Sequence, residues 1–377
     1  MKMLYVANQY SPLDHNAGSG TDYDLCQAFL SHGVDVEIVG PFVDQPSLLE
    51  RAYHSYIHPF FTKRGGVKYS SAFIRAAGEE VNRAVEQVRP DVICAYFAAP
   101  LVNVKPVVPI VYLLDTTLKG SQDQRHFFSR VEYLRMLSWE RKVIRKSARV
   151  ITWSQWSAQI LHDYYKVPRE RISFFPRPTA LPSEHVPAKI PVTPADFSTI
   201  KLLLVGREYE RKGVDIALQL VELLNQAGME TVLHIVGLKG RDSSRVKYFG
   251  AYKKTVAAEM EAYVGHYRWA HFLVHPARFE AAGIVPAEAA AFGVPTITNA
   301  AGGLATTVQD GVSGVVLPRN SPAEEYRKAI SYYREHPEEY NLLRISTRKR
   351  YDLELNWDSA GKKIYEVVRD AVEESKR

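Results

Sequence analysis

The stretch PRPTALPSEHVPAKIPVTP, Pro176 to Pro194, carries six prolines, at 176, 178, 182, 187, 191 and 194. Proline has no backbone N–H and a fixed φ, so this density forms neither a helix nor a central strand. It predicts a linker, and the sequence on either side of it decides the fold. Upstream, short apolar runs (Met3–Ala7, Val34–Val39, Val92–Tyr96, Val107–Leu114, Val150–Trp153) alternate with helical patterns at Thr21–His32, Phe73–Val88 and Val131–Arg145. Downstream the rhythm restarts. Lys201–Val205, Thr231–Val236, Phe272–His275, Thr296–Asn299 and Gly314–Leu317 read as strands, and Val214–Ala227, Ala257–Val264 and Pro286–Phe292 as helices. Alternation of this kind argues for parallel sheets covered by helices on both faces, one on each side of the linker. Trp357–Ser375, with Ile364, Val367 and Val368 on one side, is a further helix that packs on the second sheet or crosses back to the first.

Four segments carry candidate chemistry. Gly18-Ser19-Gly20 precedes the first helix, where glycines let a backbone approach a phosphate and free N–H groups receive it. A dinucleotide fingerprint has a third glycine, but Tyr23 stands in its place and roughly ten residues separate strand from glycines, so an NAD site is disfavoured. A plain flexible turn is the competing reading. Gly206-Arg207 and Glu210-Arg211-Lys212-Gly213 follow a strand, at the edge where doubly wound folds bind ligands. A guanidinium fork and a point cation together suit a diphosphate, although a solvated charged loop has the same composition. Glu280-Ala-Ala-Gly283-Ile284-Val285-Pro286-Ala-Glu288 places one carboxylate before a helix and one within it, either able to bind vicinal hydroxyls. Asn299-Ala-Ala-Gly302-Gly303-Leu304 adds backbone N–H groups at the same edge, or is simply a strand-to-helix turn.

Composition bounds the function class. The 377 residues are 46% hydrophobic and 24% charged, a mixture able to bury a core of two-domain size. No run of 18 or more apolar residues exists to cross a membrane, and the N-terminus turns polar too soon for a secretory leader. Cys26 and Cys94 belong to no paired metal or redox motif, so a reducing cytoplasm is expected. The formal charge of +6 is uneven. Residues 1–180 hold 22 Lys+Arg against 17 Asp+Glu, leaving 26 against 25 for the rest, so the first half is +5 and the second +1. The basic residues lack aromatics interleaved along one element, which disfavours nucleic acid. Two basic segments, His58–Lys68 and a helical stripe of Arg141, Arg145 and Arg149, suggest peripheral contact with an anionic membrane at its inner face. An ordinary solvated surface is the alternative.

Together these segments resemble glycosyltransferase family 4. Gly206-Arg207…Lys212-Gly213, Glu280 and Glu288 eight residues apart, Gly293-Val294-Pro295-Thr296-Ile297 and Gly302-Gly303-Leu304 carry the likeness. Tyr10-Ser11-Pro12, the glycine loop and Gly33-Val34-Asp35-Val36 extend it to the N-terminus. The resemblance implies a GT-B fold: an N-terminal Rossmann-like acceptor domain at 1–180, a nucleotide-sugar domain at 181–356 and a helix at 357–377 returning to the first, the two domains facing a central cleft. It implies a retaining, metal-independent transferase with no cofactor beyond a nucleoside-diphosphate sugar. Arg207 and Lys212 would bind the diphosphate and stabilise the leaving group. Glu280 would contact the transferred sugar, and Glu288 the ribose. Gly206, Gly283, Ile284 and Val285 would present backbone to the donor, with Gly20 near the phosphates from the other domain.

The chain departs from the family in two places. Leu114-Asp115 replaces a usual His-Asp, leaving Asp115 as the acceptor-side candidate, and Pro176-Arg177-Pro178 replaces Pro-Asn-Gly. Asp22-Tyr23-Asp24 mimics a metal-binding Asp-x-Asp but falls in a first helical turn, where acids are favourable anyway. The acceptor would be a glycan, a small molecule or a lipid-linked saccharide. An epimerase or phosphorylase of the same fold, or a non-catalytic sugar-nucleotide sensor, are the competing readings.

Overall fold

The computed structural model describes residues 1–14, 20–44, 48, 52, 69–121, 128–191 and 196–377. The chain divides into two compact units, Met1–Phe175 with Ala360–Arg377, and Pro176–Ser359. Each is built on one six-stranded parallel sheet.

In the first unit the strands are β1 (Lys2–Val6), β2 (Asp35–Val39), β3 (Val92–Ala95), β4 (Ile110–Leu114), β5 (Arg149–Thr152) and β6 (Ile172–Phe174), in the spatial order β2-β1-β3-β4-β5-β6. The helices are α1 (Thr21–Ser31), α2 (Ser71–Val88), α3 (Arg130–Lys146) and α4 (Gln155–Asp163). Every residue of β3 and β4 is buried, the pattern of a parallel strand covered on both faces. Helix α3 begins with a reciprocal capping box between Ser129 and Glu132. Cys26 and Cys94 lie in this core as free thiols. The glycine loop before Gly20 and the segment His58–Lys68 fall outside the described residues. The expected arginine stripe is not one. Helix α3 stops at Lys146, where Ser147 takes an extended backbone, and Arg149 opens β5 and pairs with Glu374.

Glu140 on α3 is buried in this unit. Its carboxylate accepts the Leu118 N–H at 3.0 and 3.2 Å and the Tyr165 hydroxyl, tying down the loop that follows β4. Burial pushes its carboxyl up to about 7, against the hydrogen bonds that oppose the rise. A carboxyl raised on folding gives its full stability below the ordinary Glu range and loses it as pH rises through about 7. Stability of the wild-type chain is therefore expected to fall between pH 5 and pH 8 by about 3 kcal/mol at most, and Glu140→Gln to flatten that slope. Urea unfolding at the two pH values measures it, and parallel slopes for both proteins would refute it.

In the second unit the strands are β7 (Ile200–Val205), β8 (Thr231–Val236), β9 (Val246–Phe249), β10 (Phe272–His275), β11 (Thr296–Asn299) and β12 (Gly314–Leu317), ordered β12-β11-β10-β7-β8-β9. The helices are α5 (Val214–Gln226), α6 (Ala257–Trp269), α7 (Ile284–Ala291), α8 (Leu304–Thr307), α9 (Ala323–Glu335) and α10 (Pro337–Glu354). The order in which the chain adds strands reverses between β7 and β10, so their carboxyl ends flank the crevice where such folds hold ligands. The proline-rich stretch, with no strand or α-helix among its described residues, lies on this unit. Leu181 enters its core, and the Arg348 guanidinium donates to the Pro187 and Ala188 carbonyls.

Helix α11 (Trp357–Ser375) starts at the end of the second unit, and from Ala360 it belongs to the first. There it lies close on α1: a Cβ on Gly361 would sit 2.7 Å from that of Ala28, and Tyr365 stacks on His32. Among the described residues no helix is long and apolar enough to cross a membrane.

Candidate active site

The sequence-selected residues of the second unit gather at the carboxyl ends of β7, β10 and β11. Gly206 and Arg207 follow β7, Glu280 lies in the loop between β10 and α7, and Glu288 is within α7. Close backbone packing sets this geometry. A Cβ on Gly206 would sit 2.5 Å from Cγ of Lys212, so only glycine leaves room for the Lys212 stem. Gly213 adopts φ +67° and lies against the Pro276 carbonyl, where a Cβ would come to 2.0 Å. The Arg278 N–H donates to the Arg211 carbonyl at 2.9 Å, and its guanidinium grips both oxygens of Asp215 at 2.8 and 2.6 Å. These contacts join the loop after β7 to the loop after β10.

The Asn299–Leu304 segment acts from the other side. The Gly303 N–H donates to the Glu280 carbonyl at 2.9 Å, and Thr307 Oγ1 to that of Ala282 at 2.6 Å. Its observed role is to fix the loop carrying Glu280. Gly283, at φ +86°, caps α7, and Ile284 and Val285 form its half-buried first turn.

Oε2 of Glu280 accepts the Lys212 ammonium and Arg211 NH1, the latter at 3.2 Å. Nε2 of His275 lies 3.6 Å from the same oxygen. Burial works against the charge on Glu280, but the adjacent Lys212 ammonium leads the groups that outweigh it and hold the carboxyl well below the usual range. Glu280 is thus a fixed anion with only 16% of its side chain exposed, beside a nearly buried cation. Arg207 stands exposed at the end of β7.

Glu288 is fully buried. Its Oε1 accepts from Lys254 Nζ at 2.7 Å, and its Oε2 from the hydroxyls of Tyr263 and Tyr267, both at 2.6 Å. Lys254 is the half-open member, with its side chain 32% exposed. Removing the ammonium leaves a buried carboxylate held by two tyrosines. Lys254→Met is therefore expected to lower unfolding stability by about 1–3 kcal/mol, the cost of taking a partner from a buried charged group. A urea midpoint equal to wild type would show that the pair contributes nothing to the fold.

In the first unit Asp115 follows β4, and its Oδ1 accepts the Tyr96 hydroxyl at 2.5 Å. That hydroxyl in turn accepts from Trp153 Nε1 at 2.7 Å. Gly20, at φ +76°, caps α1, and Asp22 in its first turn is buried and accepts the Tyr5 hydroxyl. These groups sit near the first sheet's own reversal, between β1 and β3.

Residues 23–181 match the family model "Glycosyltransferase Family 4", and residues 188–350 match "Glycosyl transferases group 1". The chain belongs to glycosyltransferase family 4. Among its relatives, glycogen synthase of Thermus thermophilus is 28% identical over 45% of this chain and 39% of its own length. D-inositol 3-phosphate glycosyltransferase of Acidothermus cellulolyticus is 27% identical over 71% of this chain and 63% of its own. The chain thus matches less than two thirds of the length of either. Among solved structures, sucrose-phosphate synthase of Thermosynechococcus elongatus superposes with a TM-score of 0.67 at 16% identity, covering 98% of both chains. Anabaena HepE in complex with UDP-glucose gives 0.64 at 16% identity, covering 98% of this chain and all of that one. The fold of this family-4 chain is GT-B.

Sequence reading gave no role to several residues gathered around the candidate site: His275, Arg211, Lys254, Tyr263 and Tyr267. Tyr263 and Tyr267 stand four apart on α6, one helical turn, and so present their hydroxyls together; that spacing was the available signal. Lys254 carries no such mark, because its partner is 34 residues away.

Proposed function

We propose that this glycosyltransferase moves a sugar from a nucleoside-diphosphate sugar with retention at the anomeric carbon and without a metal. The observation that carries the reading is the Glu280–Lys212 pair: a buried, fixed anion and a cation held side by side where the second sheet reverses. Lys212 and Arg207 would receive the diphosphate, whose negative charge grows as the glycosidic bond breaks. Glu280 would then face the sugar hydroxyls next to the reacting carbon. Gly206 and Gly283 would admit the donor closely, with Ile284 and Val285 offering the backbone N–H groups of the α7 start. Glu288 would take the ribose hydroxyls, with Lys254 yielding one acceptor position to them. In the first unit, Asp115 would accept a proton or hydrogen bond from the acceptor hydroxyl, and Gly20 would lie toward the phosphates. The acceptor class is a saccharide, free or lipid-linked.

Hydrolysis of a panel of nucleotide sugars in the absence of acceptor tests the reading, with the anomer of the released sugar followed by NMR. The expected result is slow release of the donor's own anomer from one donor class, at an unchanged rate in EDTA. Loss of activity in EDTA with recovery on adding Mn²⁺ would refute metal independence, and release of the opposite anomer would refute retention.

A further inference from the structure

His275 ends β10 with 1% of its surface exposed, and neither ring nitrogen has a hydrogen-bond partner among the described residues. Buried polar side chains are nearly always paired, so an orphaned imidazole beside a reaction site calls for a reason. Its main chain is firmly set: Thr298 Oγ1 donates to its carbonyl at 2.7 Å, and β11 pairs alongside. The acceptor nearest to hand is Oε2 of Glu280, but 3.6 Å is too long for a hydrogen bond. That oxygen is engaged by two cationic donors, Lys212 and Arg211. Burial and the Lys212 charge keep the imidazole neutral, so it carries a single N–H.

We propose that His275 is a positioning residue, which takes over the Glu280 carboxylate when the donor's diphosphate draws Lys212 away. The proposal rests on the reading that Lys212 binds the diphosphate. When Lys212 leaves, Oε2 regains a lone pair, and a shift of about 0.7 Å brings Nε2–H to ordinary hydrogen-bond distance. The carboxylate then neither follows Lys212 nor picks up a proton. It stays pointed at the sugar through the step in which its charge matters. His275 thus lies beyond hydrogen-bond distance of the carboxylate in the empty enzyme and is bonded to it in the loaded one.

The test uses the full chain with ¹⁵N-labelled histidine and inorganic pyrophosphate as the probe. Pyrophosphate is expected to move the His275 ring N–H resonance downfield and slow its exchange with water. Lys212→Met is expected to show the moved resonance without pyrophosphate. His275→Gln should lower kcat about 10- to 100-fold, the scale of one hydrogen bond to a charged group, while nucleoside-diphosphate affinity stays within about threefold. Pyrophosphate that binds by calorimetry yet leaves the resonance unmoved overturns the His275 proposal alone. Absence of any pyrophosphate binding overturns the Lys212 reading and this proposal with it.

Discussion

Glu280→Gln is expected to cut turnover by about 10²–10³-fold, the scale of one preorganised group at a reacting centre, while nucleoside-diphosphate affinity changes little. The two effects separate because the side chain and main chain of Glu280 do different work. The main chain is pinned by the Gly303 N–H and, two residues on, by Thr307. A glutamine therefore keeps the loop in place, and its amide oxygen can still accept from Lys212. What disappears is the negative charge, which burial disfavours and the Lys212 ammonium sustains. Steady-state kcat set against calorimetric Kd for the diphosphate decides it. Equal losses in both would mean that Glu280 serves the nucleotide and not the sugar.

Lys212→Met is expected to lower turnover on a similar scale of about 10²–10³-fold, with a pH signature that Arg207→Ala lacks. Methionine keeps the aliphatic stem that packs on Gly206 and removes the ammonium from Glu280. The Glu280 carboxyl is held low by that ammonium, so its charge persists far into acid and is lost only below its depressed range. Without Lys212 the carboxyl loses its largest stabilising charge and the pKa rises, by an amount that Arg211 and His275 limit, so the acid limb of activity moves to higher pH. Arg207 is exposed and does not touch Glu280, so its loss should slow the reaction without moving the limb and change stability by less than about 0.5 kcal/mol. Superimposable pH profiles for wild type and Lys212→Met would mean that Arg211 and His275 hold the carboxylate ionised without the ammonium, and would refute the role given to Lys212.

The β-α rhythm was legible because strands buried on both faces read as unbroken apolar runs, as in Ile110–Leu114 and Ile200–Val205. Two of the four edge strands escaped that test. Val246–Phe249 is half-buried throughout and interrupted by Lys247, and Ile172–Phe174 has only three residues. The arginine stripe failed because periodicity continues past a helix end when the next residues are basic too; the extended backbone at Ser147 broke it. In the candidate site, glycine spacing and the two glutamates marked loops that the fold brings to one sheet edge. Their partners could not be read in the same way. Lys254 reaches Glu288, and Arg278 reaches Asp215, only through the crossing of β8, β9 and β10, which no local pattern encodes. Glu140 likewise looks like any surface glutamate on a helix until Tyr165 and Leu118 are folded against it.

The first unit is assembled from two separated pieces of chain, Met1–Phe175 and Ala360–Arg377, with the whole second unit inserted between them. During synthesis, the face of α1 that Gly361 and Tyr365 cover waits until residues 360–377 have been made and have left the ribosome. At roughly 5–20 residues per second, that wait lasts on the order of 10–40 s. The second unit, continuous in sequence, has every residue it needs before that moment. Chains released after Ser359 should therefore carry a protease-resistant second unit and a first unit still open at α1, the stretch where a chaperone would find apolar surface.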